Sequence, residues 1–120
     1  MLIISDTNIL SSLAACDALS LLFRLFPNQV IYIPPSVQQE LQAGLERQRT
    51  YLSAVLEAIA QVRLQVLILS ATEQNLTQQL PSRLNLGERE AIALTQNRQG
   101  FLLSNDKRAV RYCHTGIARS

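Results

Sequence analysis

Leu2-Ile3-Ile4-Ser5-Asp6-Thr7-Asn8 opens the chain with an apolar run that passes directly into polar residues. A short run of this kind, with no alternation, reads as a strand buried on both faces, and such strands belong to parallel sheets. Asp6 then stands where the strand emerges into a loop. The pattern returns near the other end of the chain, where Phe101-Leu102-Leu103 runs into Ser104-Asn105-Asp106. Between them, Val30-Ile31-Tyr32-Ile33 reads as a second strand closed by Pro34-Pro35, and Val66 to Leu69 as a third.

The segments between the strands carry helical spacing. Leu19, Leu22, Phe23 and Phe26 fall at i, i+3, i+4 and i+7 until Pro27-Asn28 stops them. Ser36 is placed to cap the next helix, whose Val37, Leu41 and Leu45 form a stripe with Glu40 at its edge, facing the sheet. The helical reading continues after Gly44 from Arg47 to Ala60, with Leu52, Leu56 and Ile59 on the apolar face. Thr72 to Gln79 forms a short polar helix. Pro81 breaks the chain, Glu88 opens a helix containing Ala91, Ile92 and Leu94, and Lys107 to His114 makes a last helix stopped by Gly116.

Strands alternating with helices in this order predict one α/β domain over residues 1–120, with a mostly parallel sheet of four to five strands and helices on both faces. In such sheets ligands bind outside the carboxyl ends of the strands. Asp6 and Asp106 both fall there.

Composition narrows the classes. The 120 residues are 48% hydrophobic and 17% charged, enough for one packed core and too few charges for a disordered tail. Arg24, Arg63 and Gln65 interrupt the most apolar stretches well short of the roughly 18 residues of a membrane span. Met1 leads into the first strand with no basic leader, so a cytoplasmic protein without membrane contact is expected. Cys16 and Cys113 read as reduced thiols in the core, and with His114 they are too few for a zinc site. His114 has no Ser-His-Asp or Cys-His context, and no glycine-rich phosphate loop occurs. The net charge is +2, but setting four acids aside in one pocket leaves eleven Lys and Arg against five acids, a +6 remainder suited to RNA.

Ser5-Asp6-Thr7-Asn8-Ile9-Leu10 resembles the opening signature of the PIN domain family. Three further stretches follow in the family's order: Val37-Gln38-Gln39-Glu40-Leu41, Leu86 to Leu94 around Gly87-Glu88, and Leu102-Leu103-Ser104-Asn105-Asp106. The resemblance implies a metal-dependent nuclease whose matching acids are Asp6, Glu40, Glu88 and Asp106, holding Mg²⁺ or Mn²⁺. Many bacterial members are toxins of VapC-like toxin-antitoxin pairs, which implies RNA as substrate, an antitoxin as partner and a homodimer. Hard cations favour oxygen ligands, and Mg²⁺ takes one or two carboxylates directly while keeping waters, so four acids can hold one or two ions. Asp6 and Asp106 are the expected direct ligands, with Glu40 and Glu88 completing the shell or accepting a proton from the attacking water.

Asn8 and Ser104, beside the acids, are placed to hydrogen-bond a carboxylate or a substrate phosphate. Lys107 and Arg108, with Arg83, Arg89 and Arg111, are candidates for the RNA backbone. Each acid also has an ordinary reading, as a turn, a cap or a solvated helix residue, and Glu90 competes with Glu88 for the third position. A non-catalytic PIN-like module binding RNA or protein is the alternative. A phosphoacceptor receiver domain is disfavoured, because it needs an acidic pair where Ser5-Asp6-Thr7 supplies one acid. Members of the family usually continue through a further strand and helix, so either a shortened member or an incomplete terminus is expected here. The leucines between Glu40 and Val66 suggest a surface for an antitoxin segment.

Overall fold

Four three-residue strands, β1 (Ile3–Ser5), β2 (Ile31–Ile33), β3 (Leu64–Val66) and β4 (Phe101–Leu103), make one sheet in the order β3-β2-β1-β4. This computed structural model describes residues 2–104. All three pairings are parallel, with Ile3 beside Ile31 and Phe101, and Ile31 beside Leu64. Because alternate residues of a strand face opposite ways, this register sends Ile3, Ile31, Ile33 and Leu64 to one side and Ile4, Tyr32 and Leu102 to the other.

On the first side lie α1 (Thr7–Ala15), α2 (Leu19–Leu25), α3 (Pro35–Glu46) and α4 (Ser53–Ala60), which contribute Leu10, Leu22, Val37, Leu41 and Val55 to the larger core. On the second side α6 (Leu86–Arg98) sets Ala91 and Leu94 against Ile4, while α5 (Ala71–Gln79) packs along α6. The expected parallel sheet covered on both faces is present, with four strands among the described residues. None of the described helices is long and apolar enough to cross a membrane.

Several boundaries differ from the sequence reading, and the differences share a cause. The helix α1 starts directly after Asp6, where a loop was expected, because the Asp6 carboxylate caps it by accepting from the Ile9 N–H at 3.1 Å. The span 47–60 is not one helix. It contains the C-cap of α3 at Arg47, a 3-10 turn at Thr50–Leu52 and α4.

Three helices, α1, α3 and α4, end in Schellman turns whose left-handed residues are Asp17, Gln48 and Val62, each closed by two backbone hydrogen bonds such as Arg63 N–H to Ala58 O at 2.9 Å. None of these stops uses glycine. The turn at Val62 also delivers Leu64 to the sheet two residues earlier than expected, so β3 is Leu64–Val66. Leu67 adds one rung to Ile33 O at 2.9 Å, and Leu67 and Leu69 then spend their apolar side chains against the α6 side of the sheet.

Pro34, not Ser36, is the N-cap of α3, with Pro35 in the first turn. Asn85 caps α6 three residues before Glu88, so the helix opens at Leu86. Cys16 is exposed at the end of α1 and is not a core residue. The leucines between Glu40 and Val66 do not form a free surface: Leu52 is buried, and Leu45, Leu56 and Ile59 pack against the core. The predicted helix 107–114, with Cys113 and His114, lies outside the described residues.

Candidate functional site

The strand order turns around at β1: β2 and β3 lie on one side of it, and β4 joins on the other. Open parallel sheets bind ligands in the crevice at the carboxyl ends of the strands where the order turns around, here beside β1 and β4. Asp6 ends β1 in this crevice and is 1% exposed. Its backbone N–H reaches Leu103 O at 3.2 Å, and its carboxylate accepts a hydrogen bond from the Ser104 hydroxyl that follows β4. The two strand ends are thus tied across 98 residues of sequence.

Glu40 arrives from the second turn of α3. Thr7, the first residue of α1, donates its hydroxyl to Glu40 Oε2 at 2.9 Å. The other carboxylate oxygen faces α6: a β-carbon added to Gly87 would lie 2.7 Å from Glu40 Oε1 and 3.1 Å from a Val37 methyl. Glycine at position 87 therefore lets the carboxylate lie against the start of α6. Its neighbour Glu88 is 6% exposed, with its own N–H held by Asn85 Oδ1 at 2.8 Å. An acid in the first turn is favoured by the helix dipole, which partly offsets the burial.

Sequence links Asp6 to Thr7 and Gly87 to Glu88, and the Thr7 and Gly87 contacts join both pairs to Glu40. Three of the four expected acids are thereby linked, through their neighbours in sequence, to one end of the sheet. No group of three or more His, Cys, Asp or Glu side chains among the described residues is close enough to enclose a metal ion. Asp106, Lys107, Arg108 and Arg111 lie outside the described residues.

Glu90 has a different occupation. Its two oxygens accept from the Ser36 N–H at 3.0 Å and the Ser36 hydroxyl at 2.9 Å, closing the start of α3 from the neighbouring helix. Asn8 is exposed on the first turn of α1. Arg89 uses its Nε on Leu84 O at 3.1 Å, bracing the loop before α6.

A second buried carboxylate went unread in the sequence. Glu73, 1% exposed on α5, receives Arg98 Nε at 2.7 Å, Arg98 Nη2 at 3.0 Å, Asn97 Nδ2 at 2.9 Å and the Ser70 N–H at 2.8 Å. The Arg98 guanidinium is the main reason its pKa is held down to about 2, with the Ser70 and Asn97 hydrogen bonds adding to it. The Ser70-x-x-Glu73 spacing is a capping-box signal, and it was the available clue.

The parallel sheet with its acid-lined strand ends defines the class, and comparison with known proteins agrees. The PIN domain family model matches residues 2–116, nearly the whole chain, and the protein belongs to that family. No curated protein matches in sequence. Among solved structures, a chain of VapBC2 from Rickettsia felis, bound to a DNA fragment from their promoter, is similar with a TM-score of 0.72 at 19% identity. The similarity covers 93% of each chain. At that identity the likeness is one of fold.

Proposed function

We propose that the protein is a divalent-metal-dependent endoribonuclease, the toxin half of a toxin-antitoxin pair. The observation that carries this is the buried Asp6 carboxylate where the sheet order turns around, with Glu40 held by the neighbouring Thr7 and lying against the start of α6 beside Glu88. Membership of the PIN domain family supports the chemistry, and the likeness to a chain of a VapBC complex supports the pairing with an antitoxin.

The donor set fits Mg²⁺ or Mn²⁺. It consists of carboxylates with hydroxyls beside them and offers no thiol or imidazole among its members, which is what hard cations favour. Asp6 and Asp106 are the proposed direct ligands, with Glu40 and Glu88 binding through water or accepting its proton. The chemistry such an ion would supply is acidification of a water and neutralisation of charge on the phosphoryl oxygens. The chain's own part is to fix these carboxylates: Ile9 and Ser104 orient Asp6, Thr7 orients Glu40, and the start of α6 holds Glu88. Glu88 is preferred to Glu90 because Glu90 is engaged by Ser36. Ser104, Asn8, Lys107 and Arg108 are the proposed contacts to RNA or to the ligand carboxylates. A cytoplasmic homodimer is the proposed working form.

The test is cleavage of a labelled single-stranded RNA with Mg²⁺ or Mn²⁺, beside EDTA and an Asp6→Asn variant. Cutting that is lost in both controls is expected. A folded protein that binds neither ion and cuts no RNA would instead be a non-catalytic PIN module that recognises RNA or protein through the same surface.

A further inference from the structure

We infer that Gly87 and Thr7 are positioning residues that form a cradle for the Glu40 carboxylate and set its reach toward the metal. This rests on the nuclease reading above. The two residues bear on opposite oxygens of the same group: Thr7 donates to Oε2 at 2.9 Å, and Gly87 leaves open the space that Oε1 occupies, 2.7 Å from where a β-carbon at position 87 would lie. Glu40 is therefore defined from α1 on one side and α6 on the other, although it belongs to α3.

Glycine inside a helix is a handicap, because alanine there is favoured by roughly 1 kcal/mol. The backbone of α6 is right-handed throughout this turn, so no unusual dihedral calls for glycine at position 87. What calls for it is space. The atom in the way is the far end of a flexible side chain, and the Val37 methyl at 3.1 Å must yield by only a few tenths of an ångström. A methyl at position 87 is thus accommodated by pushing the Glu40 carboxylate aside. The fold tolerates the change, and the carboxylate's placement does not.

The experiment is Mn²⁺ binding by calorimetry together with thermal melting, for the wild type, Gly87→Ala, Glu40→Ala and the double variant. Gly87→Ala is expected to weaken Mn²⁺ binding about tenfold, the scale of a lost ligand-orienting contact, while the melting temperature stays at or above the wild-type value. In the Glu40→Ala background, Gly87→Ala should have no further effect on Mn²⁺ binding, because the group it displaces is gone. Thr7→Val should weaken binding in the same direction, and Thr7→Ser should restore it.

Wild-type affinity in Gly87→Ala, or an equal loss in both backgrounds, would overturn the inference. Should Gly87→Ala melt early, Val37 has not yielded, and the Thr7→Val and Thr7→Ser pair decides. A wild type that binds no Mn²⁺ removes the nuclease reading and this inference together. Binding by the wild type with an additive cycle removes only the inference.

Discussion

The two ends of α6 both bury carboxylates, in different company. At its C-terminal end Asn97 and Arg98 reach across to Glu73 of α5, and the guanidinium lies in the last turn, where the helix dipole also favours a cation. The acid is neutralised by a charge the chain supplies. At the N-terminal end Glu88 lies in the first turn with Glu40 against Gly87, and Asp6 stands across the crevice. The groups on Asp6 and Glu40 described above are hydroxyls and a backbone amide, which orient a carboxylate without cancelling its charge. Burying a charge is costly unless it is compensated. The Glu73 end carries its compensation as an ion pair, and at the other end hydroxyls and a backbone amide hold Asp6 and Glu40 in place.

That contrast can be attacked at either end. The largest effect is expected from Asp6→Asn, which should slow RNA cleavage by about a thousandfold, equivalent to ~4 kcal/mol of lost charge stabilisation. Its melting temperature should barely move, because asparagine caps a helix as well as aspartate does. A large drop in melting temperature would mean that Asp6 serves the fold first.

At the opposite end, Arg98→Met strands the Glu73 carboxylate and should cost about 2–3 kcal/mol in urea unfolding, a range reduced because Arg98 is one-third exposed. Cleavage per folded molecule should stay at the wild-type rate.

Acid separates the ends as well. The pKa of Glu73 falls from 4.5 to about 2 on folding, so the stability it contributes is complete above pH 4.5 and is lost as the pH falls toward 2. The full loss is roughly 3 kcal/mol by linkage. The wild type should show this acid slope in urea melts at successive pH values, and Arg98→Met should show little of it.

Smaller again is Glu90→Ala. Losing both hydrogen bonds to Ser36 should cost about 1–2 kcal/mol of stability and leave Mn²⁺ affinity unchanged. A loss of metal affinity instead would move Glu90 into the site. The smallest change is expected from Val62→Gly, which relieves a β-branched residue at φ 63° and should stabilise by about 1 kcal/mol in the same melts. It touches neither end of α6 and serves as the control for both.

The sheet and its switch point were legible because parallel strands announce themselves as apolar runs, and both the buried Ile3-Ile4 and the more exposed Phe101-Leu102-Leu103 end in polar residues. Helix ends were less legible. The sequence reading looked for glycine and proline as stops, whereas Asp17, Gln48 and Val62 turn left-handed where the backbone bonding of a Schellman turn requires it. Two of the glycines, Gly44 and Gly87, sit inside helices and make room for Leu52 and Glu40.

In the site, the acids could be picked out by residue type and order. The Thr7 hydroxyl, the vacant side of Gly87 and the diversion of Glu90 to Ser36 could not, since each depends on which helices meet in three dimensions. Glu73 looked like one more polar residue on a polar helix. Its partner Arg98 lies 25 residues further on, beyond any local pattern.

The clasp between Glu90 and Ser36 also bears on the order in which the molecule assembles. Its partners are separated by 54 residues, and Ser104 meets Asp6 only after 98. Contacts of such separation form late, because the loop entropy must be surrendered before they return anything. A nascent chain that has reached only β3 holds β1, β2 and β3 in sequence, yet lacks Glu88, the closure of α3 and the strand that abuts Asp6. Most of the sheet can therefore form before there is a crevice, and the crevice is completed by the last strand to be synthesised among those described.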